Sequence, residues 1–479
     1  MRCAYEKLSK NSKLISIIYS PIKMPSPFVN KDVEDIVCSS VQLLTHDESN
    51  AADYISWLQK APKLTTYRVN PLKADIDKLI KTIQAHLETK RKEYSWKTVP
   101  RVYQHFPDTI GIETWSEENG LDQLLVGDGL PSVIVDASCG AAVLRGANVF
   151  APAVMGLPPG IGINDDVNIF ADVSGDCKKG LKGDYTNGVK IFVGRGKLKM
   201  SRYELFGDKM KPRGIGIQTV MPVSMVPVID QEVLTPGDCL LQNLPSIICG
   251  KVLNPEPGET VLDMCAAPGN KTTHLAELMG NKGAIIAIDK IENKIDTIKK
   301  RCQESSITCV HPFAFDSTKA VLEDSSNSSK NVLEGPPFAP ETFDKILLDV
   351  PCSALGQRPL LSNKMTVKML KSYVPLQRKL FQVAVKLLKP GGHLVYSTCT
   401  TTKEECETMV AWALATFPDL NLIPATPIYG NPGWPNSGLN DEQRLMVQRF
   451  GPGKDALRRL DAVYYDTIGF FISSFEKQK

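Results

Sequence analysis

The chain has 479 residues, more than one hydrophobic core usually organises, so length alone predicts two or three domains. It is 42% hydrophobic and 23% charged, with no apolar run near the roughly 18 residues that cross a bilayer, which argues against a helical membrane protein. The net charge of +3 is unevenly placed: Cys177 to Arg213 holds 11 Lys/Arg and 3 Asp/Glu, a local net of +8, leaving −5 for the rest. Such a segment suits a polyanionic partner or, equally, a solvated strand surface. Twelve cysteines run from Cys3 to Cys406 without a CxxC pair, and six histidines form no HExxH-like pattern. Free thiols in a reducing, cytoplasmic setting are expected, and no metal site.

In chain order, residues 1–23 are mildly basic, and their apolar stretch LISIIY is too short and polar for a secretory segment. A disordered extension ahead of Met24 is expected, with a mitochondrial transit peptide as the alternative. From Asn30 to about Trp96 apolar residues recur at helical spacing, as in VEDIVCSSVQLL and ADIDKLIKTIQAHLETK, with YRVNPLK between. Residues 1–122 therefore read as a small helical N-terminal region. Leu124 to Lys211 is rich in glycine and short β-prone runs, SVIVDA, NVFAPAV, VNIFADV and KIFVG, which predicts a small barrel over 123–213.

Beyond Arg213, over 214–479, strand-like runs alternate with helical patterns: TVLDMCAA with NKTTHLAELM, GAIIAID with KIENKIDTIKKRC, FDKILLDV with PLQRKLFQVAVKLL, then HLVYSTC. This alternation predicts a doubly wound, Rossmann-like α/β sheet with ligands at the carboxyl ends of its strands. The polar insert Glu323 to Glu341 reads as a surface loop, and no internal repeat is visible.

The expected strand ends carry the unusual residues. The first runs into AAPGNKT, where Gly269 permits close backbone approach and Lys271 enters the next helix; the second ends in Asp289, 26 residues after Asp263. A glycine turn followed by an acid at the second strand end is how this fold holds an adenosine ribose. A P-loop is excluded, because Asn270 and Cys265 stand where its glycines belong, and no GxGxxG is present for a pyrophosphate. A nucleoside without phosphates, S-adenosylmethionine, is the expected cofactor. Asp316 closes a third run, CVHPFAFD, and suits an adenine amino group; any one of these acids alone would equally serve as a helix cap.

The fourth run ends LLDVPCS and the fifth VYSTCT, so Cys352 and Cys399 should open onto one crevice, with Asp349 beside them. A single buried cysteine usually packs; two at adjacent strand ends suit chemistry. C5 of a pyrimidine is too weak a nucleophile to take a methyl group unaided, and a thiolate adding at C6 makes it enamine-like. A nucleophilic Cys, a carboxylate at the ring nitrogen and a second group for release are the parts required.

DMCAAPGNKTTHLAELM, AFDSTKA, LLDVPCSALGQRP and GGHLVYSTCTTTKEE together resemble the Sun-domain (Fmu/Nop-type) RNA cytosine-5 methyltransferases, from about Asn243 to the C-terminal IGFFISSF, with YRVN near Arg68 also matching. CGAAVLRGANVFAPAV resembles a PUA domain, an RNA-binding barrel, and a PUA module ahead of a Sun domain is similar to the branch that modifies the acceptor end of tRNA. The resemblance implies methylation of cytosine 72, next to the 3′ CCA end. It implies Cys399 as nucleophile and Cys352 as the group that assists release. Cys265, Ala266, Ala267, Pro268, Gly269, Asn270, Lys271, Asp289, Asp316 and Asp349 would line the cofactor and base pocket, Asp349 and Lys271 serving catalysis too. By charge, Lys178, Lys179 and Arg195 are candidates for RNA contacts.

Two departures stand out. The family usually has Gly at 270, where Asn tolerates a left-handed backbone, and its PCSG is here PCSA, so Ala354 would be strained at positive φ by about 1–2 kcal/mol. The competing functions are a silent RNA-binding protein on a methyltransferase scaffold, which would need neither cysteine, and a DNA cytosine methyltransferase, whose nucleophile sits in a PC motif.

Overall fold

The computed structural model describes residues 24–45, 49–116, 129–207, 211–230, 232–322, 331–451 and 466–479; the expectation for residues 1–23 lies outside them. Helices α1 (Lys31–Thr45) and α2 (Ser49–Gln59) come first, followed by strand β1 (Leu64–Val69), helix α3 (Ile76–Glu93) and strands β2 (Val102–Phe106) and β3 (Thr109–Glu113). The N-terminal region is thus not only helical. YRVN lies on β1 and the turn after it, because alternate residues of β1 face a core shared with Leu79, Ile83 and Leu87 of α3.

The next unit has strands β4 (Ser132–Asp136), β5 (Val149–Phe150), β6 (Val154–Gly156), β7 (Asp166–Asp172), β8 (Lys190–Leu198) and β9 (Ile215–Pro222), with helices α4 (Ala137–Val143) and α5 (Arg202–Phe206). The six strands run in the order β5-β9-β8-β7-β4-β6 and share one apolar core that includes Val133, Val167, Val193 and Ile217. The expected boundary at 213 falls before β9. Its glycine-flanked start resembles a linker, yet β9 pairs antiparallel with β8, Leu198 opposite Ile217. Strand β10 (Cys239–Leu241) then returns to the first sheet, in the order β10-β1-β3-β2, so 214–241 belongs to the two preceding units.

Helix α6 (Leu244–Leu253) leads into an eight-stranded sheet built from β11 (Thr260–Asp263), α7 (Asn270–Leu278), β12 (Ala284–Asp289), α8 (Glu292–Glu304), β13 (Val310–Ala314), β14 (Phe343–Asp349), α9 (Val367–Leu387), β15 (Leu388–Thr398), α10 (Glu407–Thr416), β16 (Leu420–Ile423), α11 (Asp441–Met446), β17 (Gln448–Phe450) and β18 (Phe470–Lys477). The order is β13-β12-β11-β14-β15-β18-β16, with β17 also on β18. Strands β11 to β15 are parallel and β18 antiparallel. Strand order reverses direction between β11 and β14, which opens a crevice at their carboxyl ends.

Leu262, Ile286, Ile346 and Leu394 are fully buried on one face of this sheet, and Val261, Ile285, Leu347 and Val395 on the other. That two-sided burial explains why the strands read as continuous apolar runs. α1 and α2 pack against this unit, where Phe28, Val33, Tyr54 and Leu58 share a cluster with Leu355, Leu370 and Trp434. Among the described residues no helix is long and apolar enough to cross a membrane.

Candidate active site

The crevice is floored by the turn between β11 and α7. Gly269 has φ +96, a left-handed value that costs an L residue about 1–2 kcal/mol, and it sits immediately before α7. The left-handed position is therefore Gly269. Asn270 is the first helical residue and has no positive φ, so the tolerance expected of it is not required. Its side-chain oxygen is buried without a partner.

The acids fall where the strand pattern puts them. Asp263 ends β11 and is 1% exposed; its Oδ2 accepts from Thr272 Oγ1 at 2.7 Å while Oδ1 has no partner. Burial pushes its carboxyl up to about 7 against the Thr272 bond. Asp289 ends β12, accepts from the backbone N–H of Ala267 at 3.3 Å and of Ile291 at 3.1 Å, and remains partly open to solvent. Asp316 lies two residues beyond β13. It caps the turn Ser317–Lys319 through Thr318 and pairs with Lys290 at 3.0 Å, so the cap reading and a partly exposed acceptor coexist there.

A carboxylate facing the Ala267 to Gly269 turn and a second acid just beyond the neighbouring strand fit the ribose and adenine of S-adenosylmethionine. Cys265, Ala266 and Pro268 complete the turn; Cys265 packs against the core cluster of the sheet, and burial pushes its thiol up.

Beyond the switch point β14 ends in Asp349, both of whose oxygens are engaged. Lys271 Nζ donates to Oδ2 and Ser397 Oγ to Oδ1, each at 2.7 Å. Burial pulls the Lys271 ammonium down, but the Asp349 carboxylate outweighs it and holds Lys271 charged. The ammonium also lies 5.2 Å from the centre of the Phe470 ring.

Cys352 follows β14, and Cys399 follows β15. Their sulfurs are 3.4 Å apart. The two loops are stitched further by Ser353 Oγ and Thr400 Oγ1 at 2.7 Å and by the Gly356 N–H donating to the Cys399 carbonyl at 3.0 Å.

Glu405, 1% exposed, accepts from the Ser353 N–H at 3.0 Å, from Gln377 Nε2 at 2.8 Å and from Thr402 Oγ1 at 2.9 Å. Ala354 does take φ +55, so the strain expected from PCSA is stored beside Cys352.

The two thiols are not equivalent. The hydrogen bond from Cys352 lowers Cys399 first; burial opposes it, and Gln357 and Lys271 add to the lowering. Cys352 is pushed well up, first by that same bond, then by burial and by Glu405. Of the two, Cys399 is the thiol that ionises more readily, and Cys352 the one that keeps its proton.

Gln357, Ser397, Glu405 and Phe470 were not singled out from the sequence, although Gln357 lies in LLDVPCSALGQRP and Phe470 in IGFFISSF. Gln357 also lines a cavity of about 310 Å³ with Arg145, Gln242, Ser246 and Asn270, at the meeting of the three units.

The proposed RNA contacts are not brought together equally. Asp172, 3% exposed, accepts from the N–H groups of Gly175 and Cys177 and from the Tyr185 hydroxyl, which shapes the loop carrying Lys178 and Lys179. Lys178 is exposed. Lys179 is committed to the carbonyls of Pro152 and Val154 at 2.6 Å each. Arg195 lies half-buried on β8, opposite Met221, with Nε and one terminal nitrogen unpartnered.

A family profile described as 16S rRNA methyltransferase RsmB/F matches residues 250–457. The chain is 41% identical over 436 residues to the tRNA (cytosine(72)-C(5))-methyltransferase NSUN6 of Mus musculus, covering 88% of each chain. It is 32% identical over 351 residues to the tRNA (cytosine(72)-C(5))-methyltransferase of Pyrococcus horikoshii, covering 73% of this chain and 76% of that one. The crystal structure of NSun6 from Pyrococcus horikoshii with SFG, an S-adenosylmethionine analogue, is similar at a TM-score of 0.68 and 28% identity, covering 95% of this chain and 99% of that one.

Proposed function

The chain belongs to the RsmB/F and NSUN6 family of RNA cytosine-C5 methyltransferases, and from that membership we propose that it methylates cytosine 72 of tRNA, in the acceptor stem next to the 3′ CCA end. The observation that carries the reading is the pair of thiols at adjacent strand ends, 3.4 Å apart, beside the Lys271–Asp349 pair. Binding alone requires none of these four groups.

Bound at Gly269, Asp289 and Asp316, S-adenosylmethionine supplies an electrophilic methyl group. The chain's own residues prepare the base. Asp349 would accept from the exocyclic amine of a cytosine and, as N3 takes a proton from solvent during attack at C6, from that N3–H, while Lys271 would donate to the carbonyl oxygen. Cys399, as thiolate, forms a bond to C6, and the ring electrons move to C5. Once C5 is methylated, its proton must leave and the Cys399–C6 bond must break. Cys352, adjacent to Cys399, is suited to give its proton to the departing Cys399 sulfur, which leaves a Cys352 thiolate to take the C5 proton.

The β4 to β9 unit is read as the PUA domain that holds the 3′ end, with Lys178 and Arg195 as its freest phosphate contacts. The tRNA substrate, together with free thiols at all 11 described cysteines, supports a cytoplasmic location. Incubating the protein with S-adenosylmethionine and tRNA transcripts that carry or lack CCA, then mapping 5-methylcytosine, tests this. Methylation confined to position 72 and dependent on CCA is expected; methylation of DNA, or of no nucleic acid, contradicts it.

A further inference from the structure

Helix α9 carries a second basic segment. Residues 364–389 contain seven Lys/Arg and no Asp/Glu. Lys364, Lys368 and Lys371 are exposed and make no ion pair among the described residues, and no acid stands in the first turn. Lysines at a helix N-terminus oppose the helix dipole, so they do not serve the stability of α9. Free cations held against that field, in no ion pair among the described residues, suit an external polyanion.

Two observations fix where that polyanion would run. At one end, a Cβ built on Gly175 would stand 3.1 Å from Lys364 Nζ, so Lys364 reaches the loop of the β4 to β9 unit that also carries Lys178. At the other, Met369, Tyr373 and Leu376 share one helix face, with Met369 and Leu376 exposed. Gln377, one turn on from the half-buried Tyr373, donates to the Pro351 carbonyl next to Cys352 at 3.0 Å and to Glu405 at 2.8 Å, which brings this part of α9 against the loop of the cysteine pair.

We propose that Lys364, Lys368 and Lys371 form a backbone track for the RNA strand that runs from the β4 to β9 unit to the cysteine pair, and that Tyr373 stacks on the nucleotide beside the target base. The inference rests on the RNA-methyltransferase reading above. It adds a contact surface on the catalytic unit, separate from the basic segment at 177–213.

The test is the salt dependence of tRNA binding by the full chain. Lys and Gln have similar helix propensity, so the triple variant Lys364→Gln/Lys368→Gln/Lys371→Gln should keep its melting temperature and its affinity for S-adenosylmethionine. Its log-log salt slope should fall by about 2–2.7, at roughly 0.7–0.9 per lost phosphate contact. Tyr373→Ala should raise KM for tRNA roughly 5- to 150-fold while Tyr373→Phe stays near wild type, because stacking needs the ring and not the hydroxyl.

An unchanged slope in a folded triple variant, beside a wild type that methylates tRNA, overturns the track and leaves the function standing. A wild type that binds and methylates no RNA overturns both. Equal defects in Tyr373→Phe and Tyr373→Ala overturn the stacking role.

Discussion

Replacing Arg68 by Leu should unlatch the N-terminal sheet from the cofactor turn. Arg68 is 2% exposed and spends its guanidinium on Glu277 at 2.8 and 3.0 Å, Thr273 Oγ1 at 2.8 Å, the Asn270 carbonyl at 2.5 Å and the Gln242 side chain. Removing it leaves Glu277, whose side chain is 3% exposed, as a lone buried charge, which typically costs about 3–5 kcal/mol. The chain can escape by protonating Glu277. From an ordinary value of about 4.3, at 1.36 kcal/mol per pH unit, that costs about 3–4 kcal/mol at pH 7 but only about 1 kcal/mol at pH 5.

Burial already raises the Glu277 carboxyl above its unfolded value although Arg68 opposes it, and without Arg68 it rises further. Its contribution to stability therefore falls as pH rises from the unfolded value towards the folded one. Urea unfolding followed by tryptophan fluorescence should show a deficit of about 3–4 kcal/mol at pH 7, shrinking towards pH 5. Arg68→Leu/Glu277→Leu should recover most of it. Because Asn270 begins α7, calorimetry should also show weaker S-adenosylmethionine binding. A deficit under about 1 kcal/mol that does not change with pH would refute the reasoning.

Asp263, pushed up to about 7 by burial, has the same sign: the stability it contributes should be lost as pH rises from about 4 to 7, and Asp263→Asn should flatten that limb in unfolding titrations. Lys271→Met removes a charge that lowers the Cys399 thiol, so the pH at which Cys399 is half-alkylated by iodoacetamide, read by peptide mass spectrometry, should move upward. Gly269→Ala meets no atom closer than 3.4 Å, so its cost should come from the backbone alone, about 1–2 kcal/mol in unfolding, with a matching loss of S-adenosylmethionine affinity.

The catalytic sheet was legible because strands buried on both faces leave unbroken apolar runs, and these runs stop at or just before a polar or thiol residue: Asp263, Asp289, Asp349, Cys399. What lay hidden depended on contacts distant in sequence. The strand carrying Arg68 reads as a link between helices, because its partners, Glu277 and Gln242, lie some 200 residues away. Pro375 conceals the first two turns of α9, since a proline ordinarily marks a helix start, whereas this helix begins at Val367 under a Thr366 cap. With those turns went Lys368, Lys371 and Tyr373. The asymmetry of the two thiols is likewise absent from the motifs, since it arises first from the bond between them and from burial, and then from Gln357 and Lys271 on one side and Glu405 on the other.

The role of the cysteines is tested most directly by trapping. Wild type, Cys399→Ala and Cys352→Ala are each incubated with tRNA and S-adenosylmethionine, denatured, and examined on a gel for protein joined to RNA, with mass spectrometry locating the attachment. Cys399→Ala should be inactive and adduct-free, because its methyl group cannot add to C6. Cys352→Ala should accumulate adduct attached through Cys399, because attack proceeds while release stalls. The reverse pattern, with adduct in Cys399→Ala attached through Cys352, would exchange the two roles, and full activity in both variants would reduce the pair to packing and contradict the mechanism.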